Sequence, residues 1–261
     1  MITVTILQNS PDLWRSVFPK PQSTDHKYDR GHAVIFGSDI YTGATRLAAE
    51  ACSRIGSGLV TVLTTTQAQI YRQTLPADIM VRDGTLDGVN RPATLLAGPG
   101  GCNQAAAQDL SVSSLDLSLV LDADAIRLCS DVAHARKIIT PHQGEYECYI
   151  GPLGEDRMEA VRDASREARS VIVLKGPQTI IAAPDGRVCM NTTASPYLAK
   201  AGTGDVLAGM ITGLVAQGMP DFDASCAAVW LHGEASLRIG PGLVPQDLIA
   251  ALPALMGEIL S

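Results

Sequence analysis

The chain has 261 residues, of which 46% are hydrophobic and 18% charged, with 24 glycines and 15 prolines. That profile is globular and excludes a disordered or collagen-like chain. Twenty Lys and Arg against 27 Asp and Glu leave a net charge of −7. With no long basic run, this argues against a nucleic-acid or anionic-membrane surface, so phosphate on a ligand would need local backbone amides and a few cations.

In chain order, Met1–Asp29 is weakly periodic and reads as an arm with a short edge strand at Ile2–Leu7. Residues 1–25 are taken as the arm and 26–261 as one domain. His32–Phe36 is a β-rich run closed by Gly37. Thr42–Ile55 then places Ala44, Leu47, Ala48, Ala51 and Ile55 at helical spacing, with Gly56 where a left-handed cap is expected. Leu59–Thr64, Thr94–Ala97, Leu117–Leu121, Lys137–Thr140 and Val171–Leu174 are further short apolar runs. Thr179–Ala183 and Arg187–Asn191, joined by Pro184-Asp185-Gly186, predict one small antiparallel hairpin. The tail predicts helices over Asp205–Gln217, Asp223–Ile239 and Gln246–Leu260, the last kinked at Pro253.

Continuous rather than alternating hydrophobicity marks strands covered on both faces. The expected fold is therefore α/β: a central, mostly parallel sheet with helices on both faces. In such folds ligands lie beyond the carboxyl ends of the strands. The six cysteines (Cys52, Cys102, Cys129, Cys148, Cys189, Cys226) are scattered with no CxxC, and Met1–Pro19 carries no secretory pattern. They are expected to be reduced thiols of a cytoplasmic protein. No uninterrupted apolar run reaches the roughly 20 residues of a membrane span.

Six loops carry glycine or acid, five of them directly after predicted strands of the parallel core. In Ala201-Gly202-Thr203-Gly204-Asp205 the glycines let successive amides converge on an anion at a helix N-terminus, and Asp205 could take a hydroxyl proton during phosphoryl transfer. The same run also fits a plain helix start, with Thr203 as N-cap and Asp205 complementing the dipole. Gly98-Pro99-Gly100-Gly101 suits either close approach to a ligand or a tight turn. Of Asp122 and Asp124, the second fits an N-cap and the first faces the cavity, toward Mg²⁺ or ligand. His142 is a candidate donor, second base or surface residue. Lys175-Gly176-Pro177-Gln178-Thr179 offers a cation for phosphate or a solvated turn, and is no Walker A loop. Thr42-Gly43-Ala44 leaves room for a ligand or simply opens a helix.

Taken in order, these residues resemble a family. The set is His26-Lys27, Gly31, Thr42-Gly43-Ala44, Gly58-Leu59-Val60, Gly98-Pro99-Gly100, Asp122-Ala123-Asp124-Ala125, Thr140-Pro141-His142 with Gly144-Glu145, Leu174-Lys175-Gly176, Pro184-Asp185-Gly186 and Gly202 to Gly209. Over about Asp25–Leu260 it is similar to the ADP-dependent NAD(P)H-hydrate dehydratases, whose fold is ribokinase-like. The resemblance implies removal of water from the S epimer of hydrated NADH or NADPH, with ADP (ATP as the alternative) converted to AMP and phosphate, and with Mg²⁺. It implies that Ala44, Gly100, His142 and Asp205 contact the hydrate. Asp205 would act as base, and Lys175, Gly176, Pro177, Gln178, Thr179 and Gly204 would contact the nucleotide. It further implies a homo-oligomer, a tetramer, and a separate epimerase in the same pathway. Gly101-Cys102, Gln143, Ala194-Ser195 and Lys200-Ala201 depart from the family's usual residues. Two alternatives share the same loops: a kinase of a small hydroxymethyl vitamin precursor, and a nucleotide-sensing module without turnover.

Overall fold

The computed structural model describes residues 6–112, 117–129, 132 and 136–261. The Ile2–Thr5 part of the expected first strand and the Cys129 side chain lie outside the described residues. The strands are β1 (Ile6–Gln8), β2 (His32–Phe36), β3 (Leu59–Thr64), β4 (Met80–Asp83), β5 (Thr94–Ala97), β6 (Ser118–Leu121), β7 (Arg136–Ile139), β8 (Val171–Leu174), β9 (Thr179–Ala182) and β10 (Val188–Asn191). They form one sheet in the order β1-β10-β9-β8-β7-β6-β5-β2-β3-β4. From β4 across to β8 every pairing is parallel. The helices are α1 (Pro11–Trp14), α2 (Thr42–Arg54), α3 (Ala68–Thr74), α4 (Gln104–Val112), α5 (Asp124–Cys129), α6 (Gln143–Tyr149), α7 (Arg157–Ala168), α8 (Thr203–Ala216), α9 (Asp221–Ile239) and α10 (Pro245–Leu260).

The pleat sorts each apolar strand between two layers. Ala33, Ile35, Val60, Val62, Leu96 and Val120 face α2, α8, α9 and α10, whereas Val34, Leu63, Leu95, Leu119 and Leu121 face α4 and α5. Both faces are covered, which is why β2, β5, β6 and β8 are buried throughout.

Three departures from the sequence reading have physical causes. The antiparallel part has three strands rather than one hairpin, because β9 pairs antiparallel with β8 as well as with β10. The connection Lys175–Gln178 is too short for a crossover. Strand β4 is mostly exposed and half charged, so no apolar run announces it. Helices α3, α6 and α7 are short or strongly polar; α7 is set by its N-cap, Asp156, whose carboxylate accepts from the Met158 and Glu159 amides. Pro253 stands inside a continuous α10. The N-terminal segment is held in the sheet, with β1 parallel to β10 and Trp14 fully buried against Phe18 and Trp230.

The packing of α8 on α2 is what places the later site. A Cβ at Gly209 would stand 2.1 Å from the Ala48 carbonyl oxygen, and one at Gly213 2.8 Å from the Cys52 carbonyl oxygen. Only hydrogen fits at either place, so the two helices touch backbone to backbone. Every residue from Val206 to Ala216 is buried, and the N-terminus of α8 emerges over the carboxyl ends of the parallel strands.

Candidate active site

At that N-terminus Gly202 is the cap residue, in left-handed conformation at φ 94°. Thr203 is the first helical residue and not the cap expected of it. Its hydroxyl donates back to the carbonyls of Leu198 (2.8 Å) and Lys200 (2.9 Å). The first intrahelical bond runs from Val206 N–H to Gly202 O, at 3.2 Å. Among the described residues the Gly204 and Asp205 amides are therefore open, as the geometry of a helix start requires. With the dipole behind them they form an anion site.

Asp205 is half-buried in the same turn. Burial raises its pKa, the nearby Asp122 charge adds to that, and Lys175 opposes it; the carboxyl settles at about 6. A carboxylate with that value is a useful base near neutral pH.

Beneath it lies an ion pair that the sequence did not show. Lys175 Nζ is 2.7 Å from Asp122 Oδ1, and the Thr140 hydroxyl donates to the same oxygen at 2.7 Å. The Asp122 side chain is 4% exposed and that of Lys175 21%. Lys175 is thus no solvated turn residue, and Asp122 serves it as counter-ion through Oδ1. Burial works most strongly against the lysine's charge, but Asp122, with Glu145 and Asp205 adding to it, outweighs burial and the pKa is raised. A Cβ at Gly204 would lie 3.5 Å from Lys175 Nζ, which places the ammonium under the open amides.

The neighbouring loops are locked to one another. A Cβ at Gly98 would stand 1.7 Å from the Asp122 carbonyl oxygen, and one at Gly100 2.3 Å from that of Tyr41. The Gly98–Gly101 run is therefore a tight turn whose glycines serve backbone packing. Ser38 Oγ donates to Gly100 O at 2.6 Å, Thr45 Oγ1 to Pro99 O at 3.0 Å, and the Ala44 amide to Tyr41 O at 3.1 Å. This brings Ala44 and Gly100 together on one rim. Asp124 is the first residue of α5.

His142 caps α6. Its Nδ1 accepts from the Glu145 amide at 3.1 Å while Glu145 Oε2 accepts from the His142 amide at 2.8 Å. With the Nδ1 lone pair occupied, the neutral ring carries its proton on Nε2. It is then placed to donate from Nε2. Of the predicted nucleotide residues, Lys175 points into the α8 site. Thr179 Oγ1 closes its own turn on Gly176 O at 3.2 Å. Pro177 and Gln178 open onto a cleft of about 680 Å³ that Asp156, Met158 and Met190 also line.

Two residues escaped the sequence reading. Thr140 carries no signal beyond its place after an apolar run, and its bond to Asp122 depends on the register of β6 against β7. His232 lies in the apolar pattern of α9, with Nε2 2.9 Å from the Thr203 carbonyl oxygen. The one signal it carried was a polar residue at a buried helical position.

The geometry can be set beside known proteins. The family model described as NAD(P)H-hydrate dehydratase matches residues 32–253. The ADP-dependent (S)-NAD(P)H-hydrate dehydratase of Neisseria meningitidis is 33% identical, over 93% of this chain and 90% of that protein. A bifunctional NAD(P)H-hydrate repair enzyme of Moorella thermoacetica is 34% identical over 94% of this chain, which spans about half of that protein's length (53%). The crystal structure of the Bacillus subtilis ADP/ATP-dependent NAD(P)H-hydrate dehydratase, co-crystallised with ATP and Mg²⁺, superposes with a TM-score of 0.86 at 28% identity, over 99% of this chain and 100% of that one. A hydroxyethylthiazole kinase of Pyrococcus horikoshii shares the fold alone, at a TM-score of 0.60 and 14% identity, over 87% of this chain and 89% of that one. The layered sheet is thus the ribokinase-like one, and with most of its length matched, this chain belongs to the NAD(P)H-hydrate dehydratase family.

Proposed function

We propose that this protein dehydrates the S epimer of hydrated NADH or NADPH, converting ADP to AMP and phosphate. The observation that carries the proposal is Asp205: a desolvated carboxylate with a pKa of about 6, in the same turn as the two open amides. Hydroxide leaves a carbon badly, whereas a phosphate ester leaves well. Asp205 takes the proton of the ring hydroxyl as its oxygen attacks the β-phosphorus of ADP, and AMP departs. The ring-nitrogen lone pair then expels phosphate, and loss of a proton from the adjacent carbon restores the double bond. The Gly204 and Asp205 amides stabilise the charge on the transferred group, and Lys175 adds a fixed positive charge beneath them.

Mg²⁺ prefers oxygen donors, uses one or two carboxylates together with substrate phosphates, and keeps several waters. Asp122 and Asp205 fit that donor set. Among the described residues no group of three or more His, Cys, Asp or Glu forms a protein-only cage, which suits an ion shared with the nucleotide. Bound there, Mg²⁺ would neutralise phosphate charge.

In this reading Ala44, Gly100 and His142 line the hydrate side, with His142 donating from Nε2. Gly204 and Lys175 to Thr179 line the nucleotide side. Residues 26–261 form the catalytic unit behind an arm of residues 1–25. The protein works as a homo-oligomer in the cytoplasm, with a separate epimerase supplying the S epimer. The test is incubation of the purified protein with the S hydrate plus ADP or ATP, following return of the reduced-nicotinamide absorbance and formation of AMP. Recovery with ADP supports the reading. No recovery with either nucleotide, in a folded sample that binds ADP, rejects it, and a stable phosphorylated vitamin product from ATP would favour a kinase.

A further inference from the structure

We infer that His232 is a positioning residue for the anion site: from α9 it holds and polarises the peptide unit joining Thr203 to Gly204, and so aims the Gly204 N–H at the transferred phosphoryl group. The inference rests on the reading that phosphoryl transfer takes place at the N-terminus of α8.

A peptide unit is planar, with C=O and N–H pointing in opposite directions. Whatever fixes the Thr203 oxygen therefore also fixes the Gly204 hydrogen. His232 Nε2 lies 2.9 Å from that oxygen. The ring is buried, and burial, with Lys175 adding to it, pushes the pKa down to about 4 against the opposing effect of the Thr203 hydrogen bond. Near neutral pH the imidazole is uncharged, so Nε2–H donates to the carbonyl without adding a cation beside Lys175. Hydrogen bonding at a carbonyl polarises its amide and strengthens the N–H on the other end.

The rest of the surroundings keep the ring in place. The residue after it, Gly233, lies so close to the chain following β10 that a Cβ there would stand 1.6 Å from the Thr193 carbonyl oxygen. On the far side, the Thr203 hydroxyl is anchored to Leu198 and Lys200. Thr203 is thus fixed through both its side chain and its carbonyl, and the His232 bond lies outside the helix ladder. A buried polar ring costs stability that a leucine would not; the gain is the aim of one amide.

The experiment compares the parent with His232→Gln, whose amide NH₂ reaches toward the position of Nε2, and with His232→Phe and His232→Asn, which fill the space or carry a donor too short to reach. Because deletion of a direct donor at such a site costs about 10²–10³ in rate, loss of its aim is expected to lower kcat about 10- to 100-fold in Phe and Asn. KM for the hydrate should change less than about threefold, and Gln should restore most of the rate. Circular dichroism and thermal melts identify folded variants, and if Phe does not fold, Asn against Gln decides. Equal losses in Gln and Asn, or a change in KM alone, would overturn the proposal. If the parent itself turns over no hydrate, the dehydratase reading fails separately. Calorimetric ADP binding then judges His232: about tenfold weaker in Asn and retained in Gln supports it, and equal affinities overturn it.

Discussion

Two ion pairs in this molecule look alike on paper and differ in every physical respect. Arg238, on α9, meets Glu258, on α10, through two bonds of 2.6 and 2.8 Å, at the surface. Lys175 meets Asp122 through one bond of 2.7 Å, beneath the N-terminus of α8. The first is the better-made bridge, yet water screens it and its loss should matter little. The second is held where solvent is scarce, so its attraction is strong and the cost of leaving either partner alone is high. Geometry on its own does not rank the two; burial does. The buried pair also lies where a third charge, Asp205, is perturbed by both its members.

The largest expected effect separates chemistry from structure within that cluster. Asp205→Asn keeps the shape and the open amides but removes the proton acceptor. Turnover should fall about 10²- to 10⁴-fold, roughly 3–5 kcal/mol of barrier, while ADP affinity holds or tightens, because a negative charge near the phosphates has gone. Steady-state rates and calorimetry on the two proteins check it. A fall of less than about tenfold would make Asp205 a dipole partner only. In the parent, kcat/KM should drop about tenfold per pH unit below about 6, where the carboxyl is protonated.

Next in size is the pair itself. Asp122→Asn leaves Lys175 without its hydrogen-bonded counter-charge and should cost about 3 kcal/mol of stability, the lower end for a broken buried pair because the lysine is partly exposed and Asp205 and Glu145 remain nearby. Lys175→Ala should destabilise comparably through Asp122, and weaken ADP binding by about one to two decades through the lost charge-assisted contact. Urea unfolding and calorimetry separate the two losses. If Lys175→Ala unfolds like the parent and binds ADP like the parent, neither role holds.

A smaller effect runs the other way. The folded-state pKa of Asp205 is raised, so the folded protein binds its proton more tightly than the unfolded chain between about pH 4 and 6. Stability from this group is therefore present below that window and lost as pH rises through it. A rise from the usual carboxylate value to about 6 is ~3 kcal/mol at full weight. Partial exposure reduces it, and Asp205→Asn should be stabler at pH 7 by about 1–2 kcal/mol. Unfolding curves at pH 4 and 7 test the sign: a variant equally stabilised at both would break the assignment. The smallest effect belongs to the surface. Glu258→Gln is expected to leave the unfolding midpoint where it is, and a clear drop would erase the contrast between the two pairs.

Much of the site was legible because it is local in the chain. Gly202 to Asp205 before a buried helical pattern reads as an anion-binding helix start, and the strand-following loops at Gly98, Asp122, His142 and Lys175 line up once the strands are parallel neighbours. What those residues do to one another was not legible. Lys175 and Asp122 are 53 positions apart, and either could have served a phosphate, a metal or water. The ion pair exists because β6, β7 and β8 are adjacent and in register. That His142 also caps α6 depends on the local backbone geometry. His232 carries no local motif, and only the packing of α9 brings its ring within 2.9 Å of the Thr203 carbonyl oxygen.

By itself the sequence determined the α/β class, the parallel core strands, the presence of a buried helix after the Gly202–Gly204 turn and the family, since these depend on hydrophobic period, glycine placement and ordered motifs along one chain. Only the tertiary structure decided which charges are partnered, the raised pKa of Asp205, the third antiparallel strand and the embedding of the N-terminal segment. Those outcomes depend on distances between residues far apart in sequence and on how much water each pair keeps, and neither quantity is written in residue order.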